Sequence, residues 1–341
     1  MKNIVIFDDY NEVDLKPSDL LNRYIELTRA DVAARLIKNQ PLHDCPCPSC
    51  GNCSVGSQFK KFELQYKECS SCRTLYISPR PDDLAINNYY RQAESVLFWR
   101  KEFLRRTNQK RKEKIIKPRF QWILDSTQEF FPGAQHFADL NTNQYGYIEE
   151  LLTTQQFRRK TLIDPFVPPE NVVSHLPPGG VEIISQPWWK VELKEQIDVV
   201  SLFEAGDRTS NVDELFLKLH QILKPRGLMF MTAILISGFD LQTLWERSEN
   251  LFPPDRLNVF SIEGLKIFFE RHGFECLELS TPGILDVEIV AKSLREDQTL
   301  KLPKFVEYLL NNRSDEIKRA FQEFLQSSLL SSYGRILLRK K

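Results

Sequence analysis

Two Cys-x-x-Cys pairs, Cys47-Pro-Ser-Cys50 and Cys69-Ser-Ser-Cys72, constrain the N-terminal part of this 341-residue chain more than any other feature does. Residues 51–68 separate them, the spacing of two knuckles that turn four thiolates toward one tetrahedral metal ion. Gly51 follows the first pair; a knuckle bends so tightly that this position takes a positive φ, which glycine adopts cheaply. Arg73 holds the matching place after the second pair. Cys45 and Cys53 lie close by, and Cys50 with Cys53 makes a further Cys-x-x-Cys, so a shifted pairing or a spare ligand stays open. The ligand set read from the spacing is Cys47, Cys50, Cys69 and Cys72, with zinc ahead of iron in the same site. A disulfide framework is the competing reading, but it suits short secreted chains led by a signal peptide. Four thiolates complete a tetrahedral shell and leave no place for a substrate, so the site is structural.

The length allows one large and one small domain. Hydrophobic residues make up 42% and charged residues 27%, the balance of an ordinary globular protein. Lysine plus arginine (46) equals aspartate plus glutamate (46), which argues against a protein built mainly to grip nucleic acid. Residues Met1–Leu15 carry Asp8, Asp9, Glu12 and Asp14 rather than the basic start of a targeting peptide. The longest apolar run, Leu228–Ile236, suits a buried strand rather than a membrane span. A reducing cytoplasm is the expected location, with no membrane contact.

Periodicity divides the chain into three parts: 1–94 with a helix (Leu20–Asn39) and the cysteine ribbon, a helical linker at 95–132, and an α/β domain at 133–341. Short strands are expected at Phe62–Tyr66 and Thr74–Ile77, a rigid break at Ser78-Pro-Arg-Pro81, and a helix over Asp83–Tyr90. Ser95–Phe131 reads as a long helical region interrupted at Pro118. Beyond Pro132-Gly133, strands alternate with helices, the pattern of a mostly parallel sheet covered on both faces. The expected strands are His136–Leu140, Lys160–Asp164, Val181–Ser185, Ile197–Phe203, Gly227–Ala233, Phe274–Ser280 and a last one in Gly334–Arg339. Helices fit Tyr147–Thr153, Val212–Leu223 and Ile262–His272, the last capped by Ser261, and a separate amphipathic helix fits Pro303–Leu325.

Several phrases in fixed order carry a resemblance. They are Cys47-Pro-Ser-Cys-Gly, Cys69-Ser-Ser-Cys with Ser78-Pro-Arg-Pro and Tyr89-Tyr90, Asp198-Val-Val-Ser-Leu-Phe-Glu204, Leu223-Lys-Pro-Arg-Gly-Leu228, Pro253-Pro-Asp-Arg-Leu-Asn258 and Ser280-Thr-Pro-Gly-Ile-Leu-Asp286. Together they resemble class I S-adenosylmethionine-dependent methyltransferases with an N-terminal zinc ribbon, of the bacterial sugar and polysaccharide pathways. The resemblance covers nearly the whole chain. It implies a Rossmann-like sheet, zinc and S-adenosylmethionine as cofactors, and a sugar or nucleotide-sugar acceptor. It also implies cofactor contacts at Asp139, Asn141, Asn143, Asp164 and Phe203.

The chain departs from the family pattern in two ways. The glycine-rich turn after the first sheet strand reads Asp139-Leu-Asn141-Thr-Asn143-Gln-Tyr145-Gly146, with side chains where the cofactor should lie. Three positions where relatives carry histidine hold Arg208, Arg256 and Tyr333 instead, so the natural neutral-pH bases are missing. Trp188 and Trp189 could shape an adenine pocket. The expected function is methyl transfer to a small sugar-like acceptor, impaired by the altered turn. The alternatives are a non-catalytic module that binds a ligand or protein partner, and a nucleic-acid-binding ribbon that uses the basic run Arg100–Arg119.

Overall fold

The computed structural model describes residues 15–38, 40–140, 146–164 and 180–341. Helix α1 (Ser18–Val32), extended by a π turn at Ala33–Ile37, buries Leu21, Tyr24, Leu27 and Val32 along one stripe. The ribbon follows as a hairpin of β1 (Val55–Lys61) and β2 (Leu64–Cys69), with β3 (Leu75–Ile77) beside it. Here the expected strand Phe62–Tyr66 is corrected: Phe62 and Glu63 form the hairpin turn, at φ 48° and 66°. Tight hairpin turns favour asparagine and glycine at such positions. Here tertiary packing stands in for the missing signal, because the Phe62 ring stacks on Phe252 and lies beneath the Arg29 guanidinium.

Helix α2 (Asp83–Gln92) starts where Asp82 accepts a hydrogen bond from the Ala85 amide. Then α3 (Glu94–Phe98), α4 (Leu104–Arg111) and α5 (Lys117–Phe130) run on through π turns at Trp99–Phe103 and Lys112–Ile116. Pro118 therefore does not interrupt the helix. The wider π turn just before it takes up the clash that its ring would make in a regular helix.

The α/β part holds a seven-stranded sheet among the described residues. Its strands are β4 (His136–Leu140), β5 (Arg159–Ile163), β6 (Glu182–Ile184), β7 (Ile197–Phe203), β8 (Leu223–Ile234), β10 (Phe274–Ser280) and β11 (Tyr333–Lys340), in the order β10-β11-β8-β7-β4-β5-β6. Strands β4 to β8 pair in parallel, whereas β11 runs antiparallel to both its neighbours. One face carries α8 (Val212–Ile222) and α10 (Ile262–Arg271), whose Phe216, Leu219, Leu265 and Phe268 pack on Val200, Leu202, Met229 and Met231. The other face is covered by α5, through Phe120, Trp122 and Ile123 against Phe137, Val199 and Phe230. The order reverses between β4 and β7, so the crevice at the carboxyl ends of these strands is where ligands enter such sheets.

The expected helix Pro303–Leu325 is two helices, α12 (Lys304–Asn312) and α13 (Asp315–Ser327). Ser314 between them is extended and occupies the N-cap position of the second, a residue type that favours helix starts. A further helix, α11 (Asp286–Glu296), precedes them and was not legible as a separate element.

Candidate functional site

The sulfur atoms of Cys47, Cys50, Cys69 and Cys72 all lie within 4.8 Å of one another. Cys47 and Cys72 are 3.5 Å apart and Cys50 and Cys69 3.6 Å, and every cysteine is free of disulfide bonds. Thiolates about 2.3 Å from a central zinc stand about 3.8 Å apart along a tetrahedron's edges, so this donor set fits the ion. Gly51 and Arg73 take φ 74° and 64°, and their amides donate to the Cys47 and Cys69 carbonyls at 2.9 Å. The second knuckle thus adopts the same turn with a side chain in place. The hydrogen bond from Cys47 pulls the Cys72 thiol down to about 4, and the same contact, with burial, pushes Cys47 up. A proton held between two sulfurs is what a bound divalent ion would displace. Cys53 is exposed, and the Cys45 thiol points instead at the Ile77 carbonyl.

Strand β9 (Asn258–Val259) leaves the α/β part and pairs with β3, Leu75 opposite Val259 and Tyr76 opposite Asn258. Helix α10 grips the knuckles at both ends. Ser261 caps it by accepting from the Gly264 amide, and its hydroxyl donates to the Cys72 carbonyl. Arg271 donates to the carbonyls of Pro48 (3.1 Å) and Ser49 (2.6 Å). The helix approaches so closely at Gly264 that a Cβ there would lie 2.1 Å from the Thr74 hydroxyl.

At the switch point, Asp139 near the end of β4 and Asp164 just past β5 are both buried. Asp139 accepts from the Ser201 hydroxyl of β7. Burial pushes its carboxyl up to about 7, with Asp164 adding to the rise. Leu140, Ile163, Trp188, Trp189 and Ala205 line a small cleft beside them, and the two indoles meet edge to face at 5.3 Å. Phe203, at the end of β7, lies beneath the Arg119 guanidinium at 5.3 Å. Asn141, Asn143 and Tyr145 lie outside the described residues.

A larger cavity, about 300 Å³, opens beyond the ends of β7 and β8. Arg208, Arg256 and Tyr333, scattered in sequence, all line it. At its floor Glu204, with φ 57°, faces Arg256 at 3.1 Å, Arg119 at 3.4 Å and Arg208 at 3.8 Å. Burial would raise the Glu204 carboxyl, but the three arginines outweigh it and hold it well below the usual range. Arg208 also meets Asp255 at 3.5 Å, which accepts from the hydroxyls of Tyr24 and Tyr90. The Tyr333 hydroxyl accepts from Arg119 at 2.9 Å. The basic run is thus not simply a solvated face, because Arg100, Arg111, Lys114 and Arg119 turn into this cavity. Sequence reasoning marked the three altered positions but could not see that they converge.

The strand order, with an antiparallel strand inserted next to the edge, defines a Rossmann-like methyltransferase sheet. In agreement, residues 144–279 match the family described as a methyltransferase domain. No curated protein sequence matches the chain. Among solved structures, the plantazolicin methyltransferase BpumL bound to S-adenosylhomocysteine is similar over 75% of this chain and 94% of its own, at 11% identity and a TM-score of 0.46. An S-adenosylmethionine-dependent methyltransferase from Mesorhizobium loti covers 65% and 98%, at 13% identity and a TM-score of 0.39. The N-methyltransferase NodS from Bradyrhizobium japonicum covers 66% and 86%, at 10% identity and a TM-score of 0.38. Likeness at this level does not bear on the substrate. No described helix is long and apolar enough to cross a membrane.

Proposed function

We propose that the chain binds S-adenosylmethionine at the ends of β4 and β5 and a small, sugar-like acceptor in the adjoining cavity. The observation that carries this reading is the pair of buried carboxylates, Asp139 and Asp164, at the switch point of the sheet beside the roomy cavity floored by Glu204. Asp164 would accept hydrogen bonds from ribose hydroxyls, and Trp188 and Trp189 would flank the adenine. When bound, the cofactor supplies an electrophilic methyl group, and catalysis rests on holding the acceptor in line with it. Calorimetric titration tests the reading: micromolar binding is expected, and Asp164→Ala should weaken it about tenfold or more. No heat at millimolar cofactor would overturn it.

A second reading, binding without methyl transfer, draws on the cavity's composition. Its lining holds no histidine among the described residues, and Glu204 is a poor base because three arginines lower its affinity for a proton. Tight cofactor binding with no turnover on any sugar or sugar-phosphate acceptor would favour it. The nucleic-acid reading loses its main support, since part of the basic run lines the cavity.

The cysteine cluster would hold one zinc as a structural ion, with Cys47, Cys50, Cys69 and Cys72 as ligands. Elemental analysis of protein purified without chelator should find about one zinc per chain, and Cys69→Ser should lose it.

A further inference from the structure

The cavity's charge asks for a ligand of a particular kind. Its lining holds eight lysines and arginines against four aspartates and glutamates. Arg119, Arg208 and Arg256 each have a carboxylate within 4 Å. Arg111 differs. It is buried, yet its Nε donates to the Thr107 hydroxyl at 3.0 Å and its Nη2 to the Leu15 carbonyl at 2.8 Å, both neutral acceptors. The guanidinium sits 5.1 Å from the Trp99 ring centre and 5.7 Å from that of Phe103. Among the described residues no carboxylate lies within ion-pair distance of it. Aromatic faces and the more distant Glu204 offset part of the buried charge, but an ion without a counter-ion in contact is costly to keep out of water.

We propose that the cavity binds the anionic group of a small molecule, a phosphate or a carboxylate, with Arg111 as its main partner and Lys114 beside it. This rests on reading the cavity as the acceptor pocket and narrows the acceptor to an anion. A guanidinium presents its donors in a planar fork that suits both groups. Such a ligand also accounts for a floor built from arginines rather than bases, because anchoring the acceptor requires no proton acceptor.

The test uses the full-length, zinc-loaded protein at constant ionic strength, with pyrophosphate and malonate as separate calorimetric probes for the two sources. At least one should bind stoichiometrically, and Arg111→Gln should weaken it about tenfold or more while leaving cofactor affinity unchanged. Arg111→Gln should also raise the melting temperature in anion-free buffer, since it removes a buried charge that touches no carboxylate among the described residues. If that variant fails to fold, Lys114→Gln supplies the second reading, with an expected loss of about threefold. Binding of neither probe at about 10 mM, or unchanged affinity in the variants, overturns the inference. Cofactor binding without anion binding sinks this inference alone; anion binding without cofactor binding sinks the broader reading and leaves an anion receptor.

Discussion

Among the described residues Glu204 alone faces three cavity arginines at once, and its left-handed backbone holds it there at some conformational cost. Glu204→Gln should lower stability by about 3 kcal/mol, read from urea denaturation, because it strands positive charge in a buried site. Asp139 governs a different response. Its folded carboxyl titrates near 7 against 3.8 for the free group, so between those values the folded chain keeps a proton that the unfolded chain has lost. Stability from this group is therefore complete below about pH 4 and is lost as pH rises toward 7, by on the order of 3–4 kcal/mol. Asp139→Asn should flatten that decline and leave the protein more stable than its parent at about pH 8. Denaturation series across the window check the sign. At this scale the convergence of the four cysteines was legible, because knuckle spacing is local. Glu204 was not singled out, because its partners Arg119 and Arg256 lie 85 and 52 residues away.

Helix α10 does two tasks at once, packing on the sheet and clamping the cysteine knuckles. Ser261 was legible as its cap. That the same hydroxyl would reach the Cys72 carbonyl was not, since the contact spans 189 positions. Ser261→Ala should therefore cost more than a cap alone, about 2 kcal/mol rather than about 1. Faster amide exchange in β3 and the second knuckle, with the far strands β5 and β6 unchanged, is the expected signature. Where the sequence misled, the cause was similar. The turn at Phe62-Glu63 is held by stacking on Phe252 and a cation over its ring, not by the residues that usually mark turns.

Because β9 completes the ribbon's sheet and α10 clasps its knuckles, the cysteine lobe should not melt alone. Stripping the zinc proposed at the four cysteines with a strong chelator should lower the thermal stability of the whole chain in one cooperative transition; an early separate step confined to residues before 94 would contradict that coupling. The alternation of strands and helices made the large sheet readable in advance. The cavity was not, because segments scattered from Leu15 to Arg335 build it. One of them is the long rod formed by α3, α4 and α5, and the π turn at Lys112–Ile116 sets how it is aimed. Inward positions advance by four from Phe103 to Thr107 to Arg111, then by five to Ile116. That additional step works like a half-notch in a key shaft. Winding the same residues as a regular helix would swing everything upstream through about 100°, pointing Arg111 away from the pocket; deleting the exposed Glu113 together with the bulge would instead restore a step of four and keep Arg111 facing in. The width of one turn, rather than the number of residues in it, thus decides which way the guanidinium looks.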